Sequence, residues 1–234
     1  MPCVIIIRYK GLRGINVRIG GLNSFSLSDF PGHVAAVVFT QGCNFRCPYC
    51  HNGSLISMDP PTGALIPLKE VFRFLDMRRG QLNGVVVSGG EPTLQPDISL
   101  FFRGVGSMGY QIKLDTNGSR PKALAELIME GLVDFIAMDI KAPFAFYDRM
   151  TGVCAPKEQL EESIALIAQS GIDHEFRTTV VEPLLSEDDL QAIQEMVPQG
   201  SRHRIQEFRP ENALDPVLRA AVGAPALSRG SSSI

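Results

Sequence analysis

The chain has 234 residues, 44% of them hydrophobic and 20% charged, which is enough apolar material for one large α/β domain or two small ones. A formal net charge of −3 gives no general basic field, so nucleic acid is not favoured as an electrostatic partner. The opening apolar run, Cys3 to Ile7, is far shorter than the ~20 residues that cross a bilayer, and it lacks a charged start and a small-residue cleavage site. A soluble cytoplasmic protein with no membrane association is expected.

In chain order, the first 17 residues fit no clear element: VIIIRY and INVRI flank KGLRG and read as a hairpin or a frayed arm. HVAAVVFTQ (His33 to Gln41) reads as a buried strand. PLKEVFRFLDMRRG (Pro67 to Gly80) reads as a helix with Val71, Phe72 and Leu75 on one face. GVVVSGG (Gly84 to Gly90) is a second strand, Leu94 to Met108 a helix, and YQIKLDTNG (Tyr110 to Gly118) a third strand. A helix follows from Arg120 to Gly131, with Pro121 in its first turn and glycine as its stop. DFIAMDIK (Asp134 to Lys141) is a fourth strand, Pro156 to Gly171 a helix, and HEFRTTVV (His174 to Val181) a fifth strand. Ser186 to Val197 is a helix capped by Ser186, with Asp189 three residues on. RIQEFRP (Arg204 to Pro210) is a sixth strand, and the small, polar stretch from Ala220 reads as a loose tail.

Six strands alternating with five helices imply parallel pairing through crossovers. The pattern alone does not separate an open doubly wound sheet from a barrel, although a G-x-G-x-x-G after the first strand is missing. In either architecture function collects at the carboxyl ends of the strands. The unusual residues fall there repeatedly: TQGC with the cysteines, then SGGEP, LDTNG and MDIK, with Arg177 and Gln206 on the last two strands.

Three of the five cysteines, Cys43, Cys47 and Cys50, stand within GCNFRCPYCHN. A disulfide scaffold would spread its cysteines, so the crowding points to a metal or cluster site. Thiolates suit zinc or iron–sulfur. A closed zinc site needs four ligands, and His51 would be the fourth. The competing reading is a [4Fe–4S] cluster held at three irons, whose fourth iron is open to another ligand. Neither Cys3 nor Cys154 is an evident fourth thiolate.

The Cys43-x3-Cys47-x2-Cys50 spacing, with aromatic Tyr49 before the last cysteine, resembles that of the radical S-adenosylmethionine enzymes, and SGGEP looks like their glycine-rich turn. The resemblance runs roughly from Ile19 to Pro210. It implies a partial (β/α)6 TIM-like barrel over residues 19–210, with an N-terminal extension (1–18) and a C-terminal tail (211–234). It also implies that Cys43, Cys47 and Cys50 hold a [4Fe–4S] cluster whose open iron chelates S-adenosylmethionine. One-electron reduction would then cleave that cosubstrate to methionine and a 5′-deoxyadenosyl radical. The cofactor carries this chemistry and the protein positions it, so no catalytic side chain beyond the cluster ligands is expected. Gly89 and Gly90 would let the backbone approach the methionine moiety, and Glu91 would accept from its ammonium group. Arg177 is the expected carboxylate partner, the alternative being a strand-end salt bridge. Tyr49, Asp115, Asp139, Lys141 and Gln206 complete the expected cofactor-binding set, with Gln206 and Phe208 the candidates for adenine.

SLSDFPGHVAAVVFTQGCNFRCPYCHN is similar to the start of glycyl-radical-enzyme activating enzymes. LDTNG and MDIK resemble strand ends of the pyruvate formate-lyase activating enzymes, where the matching residues bind a monovalent cation. Carried over, Asp115, Thr116, the Met138 carbonyl and Asp139 would hold that ion. The alternative is that Asp115 caps the TNG turn and Asp139 pairs with Lys141 or Arg177. AMDIKAPFAFYDRMTG, FRTTVV and IQEFRP look like the activating proteins of anaerobic ribonucleoside-triphosphate reductase. The implied reaction is hydrogen abstraction from a glycine Cα of that partner, with flavodoxin or ferredoxin as electron donor. The sixth strand end, QEFRPEN, departs from the pyruvate formate-lyase activating enzymes in having no histidine.

Three other functions remain open on the sequence. One is activation of another glycyl-radical enzyme, of pyruvate formate-lyase type. A second is radical chemistry on a small molecule, which HNG after the last cysteine disfavours for the deazaguanine-forming synthases. The third is a non-catalytic zinc or iron–sulfur binding protein. Residues 1–17 lie outside the resemblance, and no methionine separates Met1 from Met58, so an extension or a start assigned too early is expected there.

Overall fold

A computed structural model describes residues 14–182 and 184–220. Seven strands form one sheet in sequential order: β1 (Ile19–Ser26), β2 (Ala35–Thr40), β3 (Gly84–Gly89), β4 (Gln111–Thr116), β5 (Phe135–Asp139), β6 (Asp173–Val180) and β7 (Arg202–Glu207). β1 runs antiparallel to β2, and every later pairing is parallel. Between them lie helices α1 (Leu68–Met77), α2 (Ile98–Gly106), α3 (Pro121–Met129), α4 (Tyr147–Thr151), α5 (Lys157–Gln169) and α6 (Glu187–Met196), with α7 (Pro216–Ala220) after β7. Among the described residues β7 pairs only with β6 and the sheet does not close. This is the α/β architecture of a partial barrel.

Both faces of β2, β3 and β5 are covered, which is why these strands read as continuous apolar runs rather than alternations. On β2, β3 and β5 one set of residues (Ala36, Val38, Val85, Val87, Ile136, Met138) joins the main core with Val71, Phe72 and Leu75 of α1. The alternate set (Ala35, Val37, Val86, Phe135, Ala137) forms a second cluster inside the barrel, with Phe30 in it and Phe39 packed against it. Phe30 stacks on His33 at 4.1 Å between ring centroids. Each fully buried aliphatic side chain of this kind contributes about 1.5–3 kcal/mol.

Five of the six expected strands agree with the structure to within about two residues at each end, and the sixth begins two residues early, at Arg202. The expectation of six strands is corrected to seven. IGGLNSFS also forms a strand, held by its pairing with β2, although only Ile19 and Ser26 of it are buried. Its glycine pair and polar end carry no apolar period to reveal it. The expected helix from Leu94 to Met108 is a short 3-10 turn at Pro92–Leu94 followed by α2. Residues 15–18 of INVRI are not in a strand, and VIIIRY lies outside the described residues, as does the tail beyond Ala220. The Ser186 cap is present as a reciprocal capping box with Asp189. Among the described residues no helix is long and apolar enough to cross a membrane.

Candidate active site

A cavity of about 360 Å³ opens at the carboxyl ends of the strands. Its floor comes from the interior parity of the strands: Phe39, Ser88, Asp115, Asp139, Arg177 and Gln206, with Thr179 beside them. On β3 and β5 the same side of the sheet is thus apolar at the amino end (Val86, Phe135, Ala137) and polar at the carboxyl end (Ser88, Asp139). Cys47, Tyr49 and Cys50 form one wall, and Gly89, Gly90, Glu91 and Thr116 another. Lys141 also lines it. Cys43 and Met138 do not. Met138 is fully buried, and its thioether fills the space beside Gly118.

The cysteine loop has almost no regular structure, so its position depends on individual hydrogen bonds. Gly42 N and Cys43 N donate to Leu55 O (2.8 Å) and Ile56 O (3.1 Å). Arg46 N donates to Thr151 O at 2.7 Å, and Asp215 N reaches Pro48 O at 2.8 Å. Tyr147 and Met150 of α4 are 1% exposed and anchor that helix in the core. Gly152 ends α4 with φ +68°, and a Cβ there would stand 2.6 Å from Arg46 O. The stretch from Tyr147 to Gly152, anchored by buried Tyr147, Met150 and Thr151, is therefore a brace for the cysteine loop.

The SGGEP turn approaches the same loop. Gly90 N donates to Thr40 O (3.0 Å) and Glu91 N to Gly42 O (2.9 Å). A Cβ on Gly89 (φ +117°) would meet the Thr40 backbone, and one on Gly90 would meet the Gly42 carbonyl. Both glycines are required by contact with the chain's own backbone as well as by their place on the cavity wall. Glu91 is fully buried. Its Oε1 accepts from Thr93 N (3.1 Å), from the Thr93 hydroxyl and from Thr116 Oγ1 (2.8 Å), and its Oε2 accepts from Asn117 N (2.7 Å). Burial pushes its carboxyl above the usual range against these bonds. An ammonium group would find its remaining acceptor capacity at Oε2.

The two aspartates share a network of cations. Lys113 Nζ lies 2.7 Å from Asp115 Oδ1, Arg177 Nη1 3.3 Å from Asp115 Oδ2, Arg177 Nε 2.9 Å from Asp139 Oδ1, and Lys141 Nζ 3.3 Å from Asp139 Oδ2. Burial alone would raise both carboxyls, but Arg177 with Lys113 or Lys141 outweighs it and holds both below the usual range. All four carboxylate oxygens thus have cationic partners. Asp115 does not cap the TNG turn; Gly118 N bonds Thr116 Oγ1 instead, at 3.1 Å. At the mouth, His51 stacks on Phe208 (5.7 Å, 21°) and Tyr49 meets the same ring edge-on at 6.4 Å. Lys141 Nζ stands 6.0 Å from the Tyr49 ring.

Sequence reasoning missed Asp29, Phe39, Ser88, Asn117 and Thr179 on the cavity wall. Counting by twos along the strands from Arg177 and Gly90 would have found Thr179 and Ser88. Asp29 and Asn117 sit on loops and carry no such period.

The two metal readings make different demands on the donor set. Among the described residues no three His, Cys, Asp or Glu side chains are grouped to hold a single metal ion. A zinc site needs its donors to converge at ~2.0–2.3 Å, whereas His51 is turned onto Phe208. In a [4Fe–4S] cluster each thiolate takes its own iron, so the sulfurs stand apart around a larger body. Burial pushes Cys43 up to about 12 and raises Cys47 despite Lys141. Such thiols ionise when a bound metal supplies the charge. The residues present fit a cluster.

The model of the radical SAM superfamily matches residues 37–197, and the chain belongs to that superfamily. Members of this class share a [4Fe–4S] cluster and S-adenosylmethionine. Within it, the chain is 33% identical over 202 residues to a Methanocaldococcus jannaschii protein provisionally named a glycyl-radical enzyme activating enzyme, covering 84% of this chain and 82% of that protein. It is 29% identical over 199 residues to the pyruvate formate-lyase 1-activating enzyme of Escherichia coli K12, covering 82% and 74%. Two other pyruvate formate-lyase activating enzymes align over about half their own length. The chain is thus an enzyme of the glycyl-radical-enzyme activating kind. Among solved structures, Streptococcus suis SuiB bound to the precursor peptide SuiA shares the fold, with a TM-score of 0.59 and 14% identity over 74% of this chain and 39% of that one.

Proposed function

We propose that the chain activates a partner enzyme by removing hydrogen from one of its glycine Cα atoms, leaving a glycyl radical. The observation that carries this reading is the braced loop of Cys43, Cys47 and Cys50 beside a polar cavity at the barrel mouth. The names of the relatives support the glycine as target. Cys43, Cys47 and Cys50 would hold the cluster, and Tyr49, Gly89, Gly90, Glu91, Asp115, Asp139, Lys141, Arg177 and Gln206 would surround the cosubstrate. When bound, cluster and S-adenosylmethionine supply reductive cleavage and the hydrogen-abstracting species.

The chain's own residues orient and screen. Arg177 is held by two carboxylates, so its fork is fixed before a ligand arrives. Tyr49, His51 and Phe208 cover one side of the mouth and limit water there. A monovalent cation on Asp115, Thr116, the Met138 carbonyl and Asp139 would have to displace Lys113, Arg177 or Lys141. The geometry favours the ion-paired form, and the dependence of S-adenosylmethionine affinity on potassium concentration tests this choice.

The proposed partner is an anaerobic ribonucleoside-triphosphate reductase, on the resemblance of the AMDIKAPFAFYDRMTG, FRTTVV and IQEFRP segments, with flavodoxin or ferredoxin as donor in the cytoplasm. Activation of a pyruvate formate-lyase-type enzyme is the second reading, favoured by the named relatives. Incubating the reduced, cluster-loaded protein with each candidate and scoring the glycyl radical by electron paramagnetic resonance decides between them. A radical on the reductase alone supports the first; a radical on the lyase alone overturns it.

A further inference from the structure

Two hydrogen-bonded ties run from the cysteine loop to segments that line the cavity. One is the backbone bond from Glu91 N to Gly42 O. The other is built from side chains. Asn117 Nδ2 donates to Asn44 Oδ1 (3.0 Å), and Asn44 Nδ2 donates to Ser119 Oγ (2.8 Å). Ser119 N returns to Asn117 Oδ1 (2.9 Å), closing a ring of donors and acceptors. Asn117 also gives its backbone N–H to Glu91 Oε2 at 2.7 Å. Asn117 and Ser119 are buried, and Asn117 lines the cavity. Asn44 directly follows Cys43. The other braces of the loop, from Leu55 and Ile56, from Thr151 of α4 and from Asp215, come from residues that do not line the cavity.

We propose that Asn44 and Asn117 are positioning residues that fix the cysteine loop at Cys43 relative to the cosubstrate wall at Glu91 and Thr116. The inference rests on the radical S-adenosylmethionine reading of this site. Each amide uses both its donor and its acceptor, so alanine leaves partners unmatched at either position, whereas a carboxylate in place of Asn44 keeps the acceptor for Asn117 and can take its second bond from the Ser119 hydroxyl, which donates as well as accepts. A loop seated loosely at this point would still offer its three thiolates, but their placement against the cosubstrate would vary.

The test uses the full chain after anaerobic cluster loading, comparing wild type with Asn44→Ala and Asn44→Asp. The expected result for Asn44→Ala is unchanged iron content and a KM for S-adenosylmethionine raised about tenfold, with kcat for its cleavage changed less than about twofold. The change that S-adenosylmethionine makes in the reduced cluster's electron paramagnetic resonance spectrum should be blunted. Asn44→Asp keeps the acceptor for Asn117 and should recover part of the affinity. Backbone hydrogen exchange in residues 42–50 should quicken in Asn44→Ala while that of α3 stays as in wild type. Unchanged KM and spectrum, with only a lower melting temperature, would overturn the proposal and leave Asn44 a packing residue. If wild type itself binds no S-adenosylmethionine, the cofactor reading fails separately. In that case unchanged exchange in residues 42–50 of Asn44→Ala overturns the positioning role by itself, and quickened exchange upholds it.

Discussion

The two sides of the barrel mouth are built differently. On the β2–β5 side, the cysteine loop, the SGGEP turn and the TNGS turn interlock through buried backbone and amide bonds, and Glu91 alone receives four donors. On the β6–β7 side, among the described residues, the last strand pairs along one edge only, and Arg202, Arg204, Ile205 and Glu207 are exposed. Two hollows of about 540 and 630 Å³ continue from the cavity past β7. One side can hold a cofactor to a fixed geometry; the other leaves room for something large to approach. A chain that must both hold a cofactor rigidly and admit a glycine from another protein needs both properties, and the sheet divides them between its two halves.

The largest effect should come from the loop itself. Replacing Cys43, Cys47 or Cys50 by alanine should abolish cluster loading and S-adenosylmethionine cleavage, read as iron content and 5′-deoxyadenosine. Full iron and activity in any one variant would break the ligand assignment. Next is Gly90→Ala, which sets a methyl group against the Gly42 carbonyl. Backbone faces backbone there, so a loss of about 3 kcal/mol in denaturant unfolding is expected.

Arg177→Ala leaves two carboxylates short of a partner and should cost about 3 kcal/mol. Its pH dependence sharpens the point. Asp115 and Asp139 are held below the usual range in the fold, so their contribution is present above ~4, the unfolded value. It is lost as pH falls through the folded values. Stability of the wild type should drop on acidification below ~4, and Arg177→Ala should flatten that limb. The smallest effect belongs to the open side: Ser186→Ala removes the capping box of α6 and should cost about 1 kcal/mol without changing S-adenosylmethionine affinity.

The sequence was most informative where burial is two-sided. The apolar runs of β2, β3 and β5 announce themselves because helices cover one face and the barrel interior the other. β1 was hidden because its pairing with β2, rather than any apolar pattern of its own, makes it a strand. The cysteines were legible through their spacing, and the aspartates through their places at strand ends. The role of Gly90 was only half legible: a turn was evident, but the Gly42 carbonyl that forbids a side chain lies 48 residues back along the chain. Asn44 and Asn117 left no trace, since a bond across 73 residues has no local signature.

The central claim is that the braced cysteine loop holds a cluster that cleaves S-adenosylmethionine. The direct measurement is anaerobic loading with iron and sulfide, reduction with dithionite, and assay of 5′-deoxyadenosine after adding S-adenosylmethionine. The account predicts four irons per chain, by the cluster's stoichiometry, and 5′-deoxyadenosine formation that requires all three cysteines. Retained zinc, no cluster and no 5′-deoxyadenosine would contradict it.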